Sequence, residues 1–217
     1  MRTFGFSDFL FIVEAARWTM ALSLIAFAGG SLLGLVIALA RTSESRPARL
    51  LSSGFIQLFQ GTPLLLQLFL IFFGAPVIGF TINPWIAAGV ALVLNSAAFL
   101  GEIWRGCIDA IPRGQWEAAQ ALNLSYASRM RDVVLPQAIK IALPPTVGYL
   151  VQIIKGTSLA AIIGFTEVTR ASQIINNATF QPLLIYTTVA GVYFAICWPL
   201  SLLAARMERK RAQGLAR

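Results

Sequence analysis

The side chains able to do polar chemistry in this chain are few and lie far apart. Lys155-Gly156-Thr157-Ser158 sets an ammonium beside two hydroxyls at the end of an apolar run. A charge at bilayer depth is costly and marks a functional candidate. Lys155 follows Lys140 by 15 residues, or roughly 22 Å along a helix at about 1.5 Å per residue. If Lys140 marks the inner interface, Lys155 lies past the midplane. There it meets a solute carboxylate, with Thr157 and Ser158 offering hydroxyls, or it snorkels to the outer interface. Glu102 stands three residues before Arg105, the spacing of a helical ion pair; the alternative reading has it line the inner mouth of a path. Gln57, Gln67 and Asn95 place amides within apolar segments, where such groups face the helix bundle or a path and not lipid.

Chemistry of other kinds finds no support. A phosphate cradle needs a Gly-rich loop ending in Gly-Lys-Ser/Thr, and Gly156-Thr157-Ser158 has the wrong spacing. The chain has no histidine, and Cys107 and Cys197 stand 90 positions apart. That excludes a metal cluster by spacing and makes a disulfide between them unexpected. Both cysteines read as packing residues, and no cofactor is expected in this chain. The net charge of +8 raises nucleic acid as a partner, but the basic residues do not alternate with aromatic stacking residues. They sit at the edges of apolar segments.

The elements that must position these groups are membrane helices. Of the 217 residues, 57% are hydrophobic and 12% charged, against about 25% charged in soluble domains. Five segments are long enough for a hydrocarbon core that needs about 20 helical residues: 18–40, about 50–73, 85–104, 139–165 and 183–205. The first carries no charge and is too long for a signal-peptide core. Pro63, Pro144 and Pro145 interrupt spans or their ends, which is tolerated where neighbours satisfy the freed carbonyls. Gly30-Ser-Leu-Leu-Gly34 is a small-xxx-small pattern for close helix approach. Residues 1–17 read as an outer interfacial helix with Ser7 as N-cap, Asp8 in the first turn, and Phe9, Leu10, Ile12 and Val13 as apolar surface.

Thirteen of the 17 lysines and arginines fall in three segments: between spans one and two, between three and four, and after five, where a basic tail runs over 206–217 to Arg217. Residues 74–83 carry none, and 166–182 carry only Arg170. Cytoplasmic loops retain Lys and Arg, so the N-terminus is expected outside and the C-terminus in the cytoplasm.

Residues 111–137 form a polar island between spans three and four. Pro112 suits a first helical turn, and Gln115 to Leu122 are good helix formers. Asn123 tolerates the left-handed conformation that ends a helix. Ser125 then caps a second short helix through about Val134, which Pro136 closes. A bent helix pair of this kind slots into a groove on a soluble partner.

Here the sequence resembles the permease subunits of ABC importers, within the polar amino-acid uptake family. The family's signature is Glu-Ala-Ala, three residues, Gly, and a later Leu-Pro. This chain has Glu117-Ala118-Ala119, Asn123 in place of the Gly, and Leu135-Pro136. Gly61-Thr62-Pro63-Leu64, Glu102-Ile-Trp-Arg-Gly106, Gly114-Gln115-Trp116-Glu117 and Thr157-Ser158-Leu159 follow the family's order over essentially the whole chain. The resemblance implies an all-α integral membrane fold of five transmembrane helices, with a cytoplasmic coupling helix pair between spans three and four, in a bacterial inner membrane. It implies that this permease pairs with a second, identical or different. An ABC ATPase subunit that binds ATP and Mg docks at Glu117, and an extracytoplasmic amino-acid-binding protein delivers cargo to a path that includes Lys155.

Two departures matter. The family usually has Lys-Asp-Thr-Ser-Leu where this chain has Gly156, so an acidic partner for a substrate's amino group is missing. Either the substrate contact differs or a second permease carries the main site. Gln60 stands where Arg is common before Gly61-Thr62-Pro63. The same architecture would equally import an opine or a sulfonate. A self-sufficient secondary transporter is the reading from another class; it would show two related halves with paired broken helices, and no duplication is visible.

Overall fold

The computed structural model describes residues 3–215, and all regular structure among them is helical. Arg217, at the end of the basic tail, lies outside the described residues. Apolar runs without β-alternation become helices because backbone groups in lipid must be satisfied within the segment.

Helix α1 (Phe6–Thr42) is unbroken for 37 residues, about 55 Å at 1.5 Å per residue. It joins the expected interfacial helix and first span into one rod. It begins earlier than expected: Gly5 is extended, and its N–H donates to Asp8 Oδ2 at 3.0 Å. That reciprocal cap leaves Ser7 inside the first turn instead of at the N-cap. Helices α2 (Arg46–Gln60) and α3 (Leu64–Val77) follow, then α4 (Pro84–Asp109), started by Asn83 Oδ1 accepting from the Ile86 N–H at 2.9 Å. Helix α5 (Arg113–Ala121) leads to a single turn, α6 (Tyr126–Ser128), and a π-helical stretch, Arg129–Val134. Helix α7 (Leu135–Gly156) continues into a 3-10 segment, Thr157–Ile163. Helices α8 (Val168–Thr179) and α9 (Pro182–Leu215) complete the chain.

Helix α4 is the central element. Ala87, Ala88, Ala91, Ala97 and Ala98 are fully buried on it, and α1 lies along it. The approach is close because Gly30 and Gly34 face it: a Cβ on Gly30 would stand 2.5 Å from Ser96 Cβ, and one on Gly34 3.2 Å from the Ala97 carbonyl oxygen. The Gly30-xxx-Gly34 pattern therefore packs as expected. Leu22, Leu68, Leu92, Ile153, Ile163 and Phe165 extend this core to α3, α7 and the 3-10 segment. Trp85 closes one end, edge-on to Phe165 at 4.7 Å and to Trp18 at 5.5 Å.

Among the described residues, four helical stretches are long and apolar enough to cross a membrane: Phe6–Thr42, Pro84–Asp109, Tyr126–Ile163 and Pro182–Arg211. The expected span over about 50–73, read as interrupted by Pro63, is the pair α2 and α3, bent by 98° at Gly61–Pro63. Pro63 removes an N–H and forces extended backbone. Pro144 and Pro145, by contrast, leave α7 continuous.

Substituting Gly30→Ala forces α1 from α4 and is expected to cost about 1–3 kcal/mol, as for an overpacked core. The melting temperature of the detergent-purified chain should fall. Gly54→Ala, with open space around its Cβ inside α2, should not lower it and is expected to raise it slightly, since Ala suits a helix interior better than Gly by about 0.5–1 kcal/mol.

Candidate functional site

The polar island is built from the inside out. Ile108, Ile111, Met130, Val134 and Ala138 form a small apolar cluster against which Trp116 and Tyr126 pack. Ala119 is 3% exposed beside it. With Ala119 turned inward, the opposite face of α5 carries Gly114, Glu117, Ala118, Ala121 and Leu122, all exposed. Leu122 is 75% exposed. The result is a ridge of small and apolar surface holding Glu117, flanked by the exposed side chains of Arg113 and Gln120.

The ridge ends at Asn123, which takes φ 56° as its side chain permits. The Leu124 N–H donates to the Ala119 carbonyl and the Asn123 N–H to that of Gln120, at 3.2 and 2.9 Å. This paired closure is how helices end on a left-handed residue. Ser125 Oγ then accepts from the Ser128 N–H at 3.2 Å, the expected cap. Pro136 does not close the second helix. It sits in the first turn of α7, where its missing N–H interrupts little, so Tyr126 to Ile163 is one helical run. Leu135 is half-buried and Pro136 exposed. Tyr126 OH ties the island to the end of α1 by donating to the Thr42 carbonyl at 2.8 Å, and beyond the island Trp104 Nε1–H joins α4 to α7 by donating to Thr146 Oγ1 at 2.8 Å.

Above it, Arg105 donates to Glu102 Oε1 at 2.6 Å and Oε2 at 2.9 Å, and also reaches Asp109. Glu102 thus forms the i, i+3 pair read from its spacing. These side chains are partly solvated, so the pair adds little stability.

Gln67 and Asn95 come together at the α2–α3 bend. Gln67 Nε2 donates to the carbonyls of Phe59 (2.8 Å) and Thr62 (3.0 Å) and to Thr62 Oγ1 (2.9 Å). Asn95 Nδ2 donates to Gln67 Oε1 at 3.2 Å, and Tyr149 OH to Asn95 Oδ1 at 3.4 Å. Both amides are under 10% exposed. Gln57 differs: it is exposed in the single chain, and its amide donates to Ser53 Oγ at 3.3 Å.

Lys155, Thr157 and Ser158 do not converge. Lys155 is exposed on α7, whereas Thr157 is fully buried. The hydroxyls of Thr157 and Ser158 each donate to a carbonyl one turn back, Ile154 and Lys155, at 2.7 Å. Cys107 and Cys197 are free and buried, as packing residues.

Sequence reasoning missed α8 and the residue that starts it. Glu167 is fully buried. Its carboxylate accepts from the Arg170 N–H (3.0 Å), Tyr193 OH (2.7 Å) and Thr19 Oγ1 (3.4 Å). Burial pushes its carboxyl pKa up, opposed by the hydrogen bonds it accepts at Thr169, Tyr193 and Arg170. Val168, Ile175 and Ile185 pack beside it on Ile12, so Glu167 anchors α8 to α1 and α9. A lone glutamate in a polar stretch gives no sequence signal for this.

Residues 30–213 match the model of a family described as the binding-protein-dependent transport system inner membrane component. The chain is 37% identical over 205 residues to the probable amino-acid ABC transporter permease protein YckA of Bacillus subtilis (strain 168), covering 94% of this chain and 91% of that protein. It is 37% identical over 201 residues to the glutamine transport system permease protein GlnP of Escherichia coli (strain K12), covering 92% of each. A crystal structure of an amino acid ABC transporter with histidines superimposes with a TM-score of 0.88 at 35% identity, over 96% of this chain and all of that one. An inward facing MetNI methionine ABC transporter gives 0.79 at 18% identity, over 95% and 99%, a likeness of fold alone.

Two outcomes follow from this geometry. Asn123→Val should destabilise the island by about 1–2 kcal/mol, the cost of a left-handed residue with a branched side chain, while Asn123→Gly is tolerated; limited proteolysis at the bend reads both. Gln67→Leu leaves buried carbonyls without their donor at about 1–3 kcal/mol, so its melting temperature should fall where that of Gln57→Leu does not.

Proposed function

The chain belongs to the family of binding-protein-dependent transport inner membrane components, the permease subunits of ABC importers, and we propose that it passes polar amino acids across the membrane, driven through the ridge at Glu117. Relatives named for glutamine, cystine and arginine transport support that cargo class. Such permeases work with an ATPase and a binding protein.

The observation that carries the coupling role is the exposed face of α5. Gly114, Ala118 and Ala121 leave low surface beside Glu117, and the exposed side chains of Arg113 and Gln120 flank it at i−4 and i+3. The buried face, held by Trp116 and Ala119, fixes the ridge to α7 through Met130, Val134 and Ala138. A push on the ridge is therefore delivered to the rod from Tyr126 to Ile163. On this reading the bent α2–α3 pair counts as a fifth span, the ridge and basic tail are cytoplasmic, and the N-terminus faces outward. Lys155, exposed beside Gln152 on α7, faces the translocation path or a second permease subunit. No ATP site is expected here, so ATP and Mg belong to the partner chain.

The test is ATP hydrolysis and labelled amino-acid uptake in liposomes containing this chain, its ATPase and its binding protein. Glu117→Arg should reduce stimulated hydrolysis by about tenfold or more, the scale of a lost interfacial charge contact, with unchanged melting. Stimulation that survives in the variant removes Glu117 from the coupling role. Uptake without any ATPase would overturn the importer mechanism, and uptake of opines or sulfonates but not amino acids would reassign the cargo.

A further inference from the structure

The turn between α1 and α2 holds a cavity of about 310 Å³ lined by Arg41, Arg46, Arg49, Leu50 and Ser53. Arg46, Arg49, Leu50 and Ser53 share one face of α2 by their spacing, and Arg41 enters from the last turn of α1. Among the described residues, none that lines it is acidic. The turn's own carboxylate, Glu44, is 76% exposed and reaches towards Arg129 at 3.7 Å. Arg49 is set in place by donating to the carbonyls of Ser43 (3.0 Å) and Glu44 (3.1 Å). Arg41 Nε is buried with no hydrogen-bond partner among the described residues. The start of α2 adds to the positive character: Ser45 makes no side-chain cap, and the first turn carries no acid, leaving the positive helix end uncompensated.

Three guanidiniums gathered without a counter-charge repel one another until an anion enters. We propose that this pocket binds a phosphate group. Guanidinium forks match phosphate oxygens in pairs, and the cavity is at the small end of ligand clefts. The phosphate comes from an anionic lipid headgroup or from the free ion. The surroundings favour the lipid: Leu50, which lines the cavity, is 73% exposed, apolar surface for an acyl chain, and the pocket lies where an apolar helix ends in arginine. Basic pockets between membrane helices hold anionic headgroups in this way.

The experiment uses the complete transporter in detergent, titrated separately with phosphatidylglycerol, phosphatidylcholine and inorganic phosphate, and read by native mass spectrometry and melting temperature. Phosphatidylglycerol should bind saturably and raise the melting temperature, with no such effect from phosphatidylcholine. The triple variant R41Q/R46Q/R49Q should bind it about tenfold or more weakly. A control losing equal charge elsewhere, R131Q/R209Q/R211Q, should bind it as the unaltered protein does. Arg46→Gln alone, at an exposed position, should weaken binding without affecting folding. If inorganic phosphate saturates the pocket and the lipid does not compete, the phosphate site stands and the free ion is its source. Equal loss in pocket and control variants, or no loss in the pocket variants, overturns the proposal.

Discussion

The carbonyl oxygens of Phe59 and Thr62 set the constraint around which the rest is arranged. Pro63 and the 98° bend leave them without helical donors, and a bare carbonyl in hydrocarbon costs several kcal/mol. One side-chain amide, Gln67, answers both, and Asn95 holds that amide from α4. Tyr149 of α7 then holds Asn95. A break between α2 and α3 thus binds that pair, α4 and α7 into a single polar junction. Helix α4 packs there through small residues, with Leu92 and Phe99 as the larger side chains beside Asn95. Its alanines and the glycines of α1 draw the backbones together so that short amides reach across.

The same junction joins the two ends of α7. Tyr149 stands within the helical run whose N-terminal end carries the island and whose C-terminal end passes into the 3-10 segment. Pro144 and Pro145 lie between the island and Tyr149 without breaking the run. Thr146 satisfies the Ala142 carbonyl and receives the Trp104 N–H, so the stretch most weakened by proline is the one cross-linked to α4. On the proposed reading, this continuous run would carry a push from the ridge to the junction.

What the sequence reveals and what it hides divide along a physical line. Local, short-range rules worked: Asn123 in the left-handed region, Ser125 as a cap, the Gly30-xxx-Gly34 contact and the Glu102–Arg105 pair all depend on residues within one or two turns or on one helix face. Tertiary partners decided the rest. Gln67 and Asn95 read as polar groups facing a bundle or path, but only the bend shows that backbone carbonyls take up their donors. Glu167 became a buried anchor because Tyr193 and Thr19, far off in sequence, supply its hydrogen bonds. Pro136 was misread as a stop because a proline closing one helix and a proline in the first turn of the next look alike without the preceding π-helical stretch. Ser7 lost the N-cap to Gly5 because Asp8 reaches back to the Gly5 N–H.

Lys155 carries the argument furthest towards transport. Thr157 and Ser158 bond to their own helix, and Gly156 offers no carboxylate, so the ammonium is exposed with Gln152 one turn before it on the same face of α7. An exposed lysine and an exposed amide at i and i+3 cannot both face lipid at depth without a large penalty. On the proposed reading that face meets water or a second permease subunit. If that face lines the path, the missing acid would change what the path can select. A site with an ammonium and no opposing carboxylate holds the carboxylate end of an amino acid firmly and its amino end loosely. Discrimination between side chains would then fall to the binding protein and the second subunit, more than to this segment.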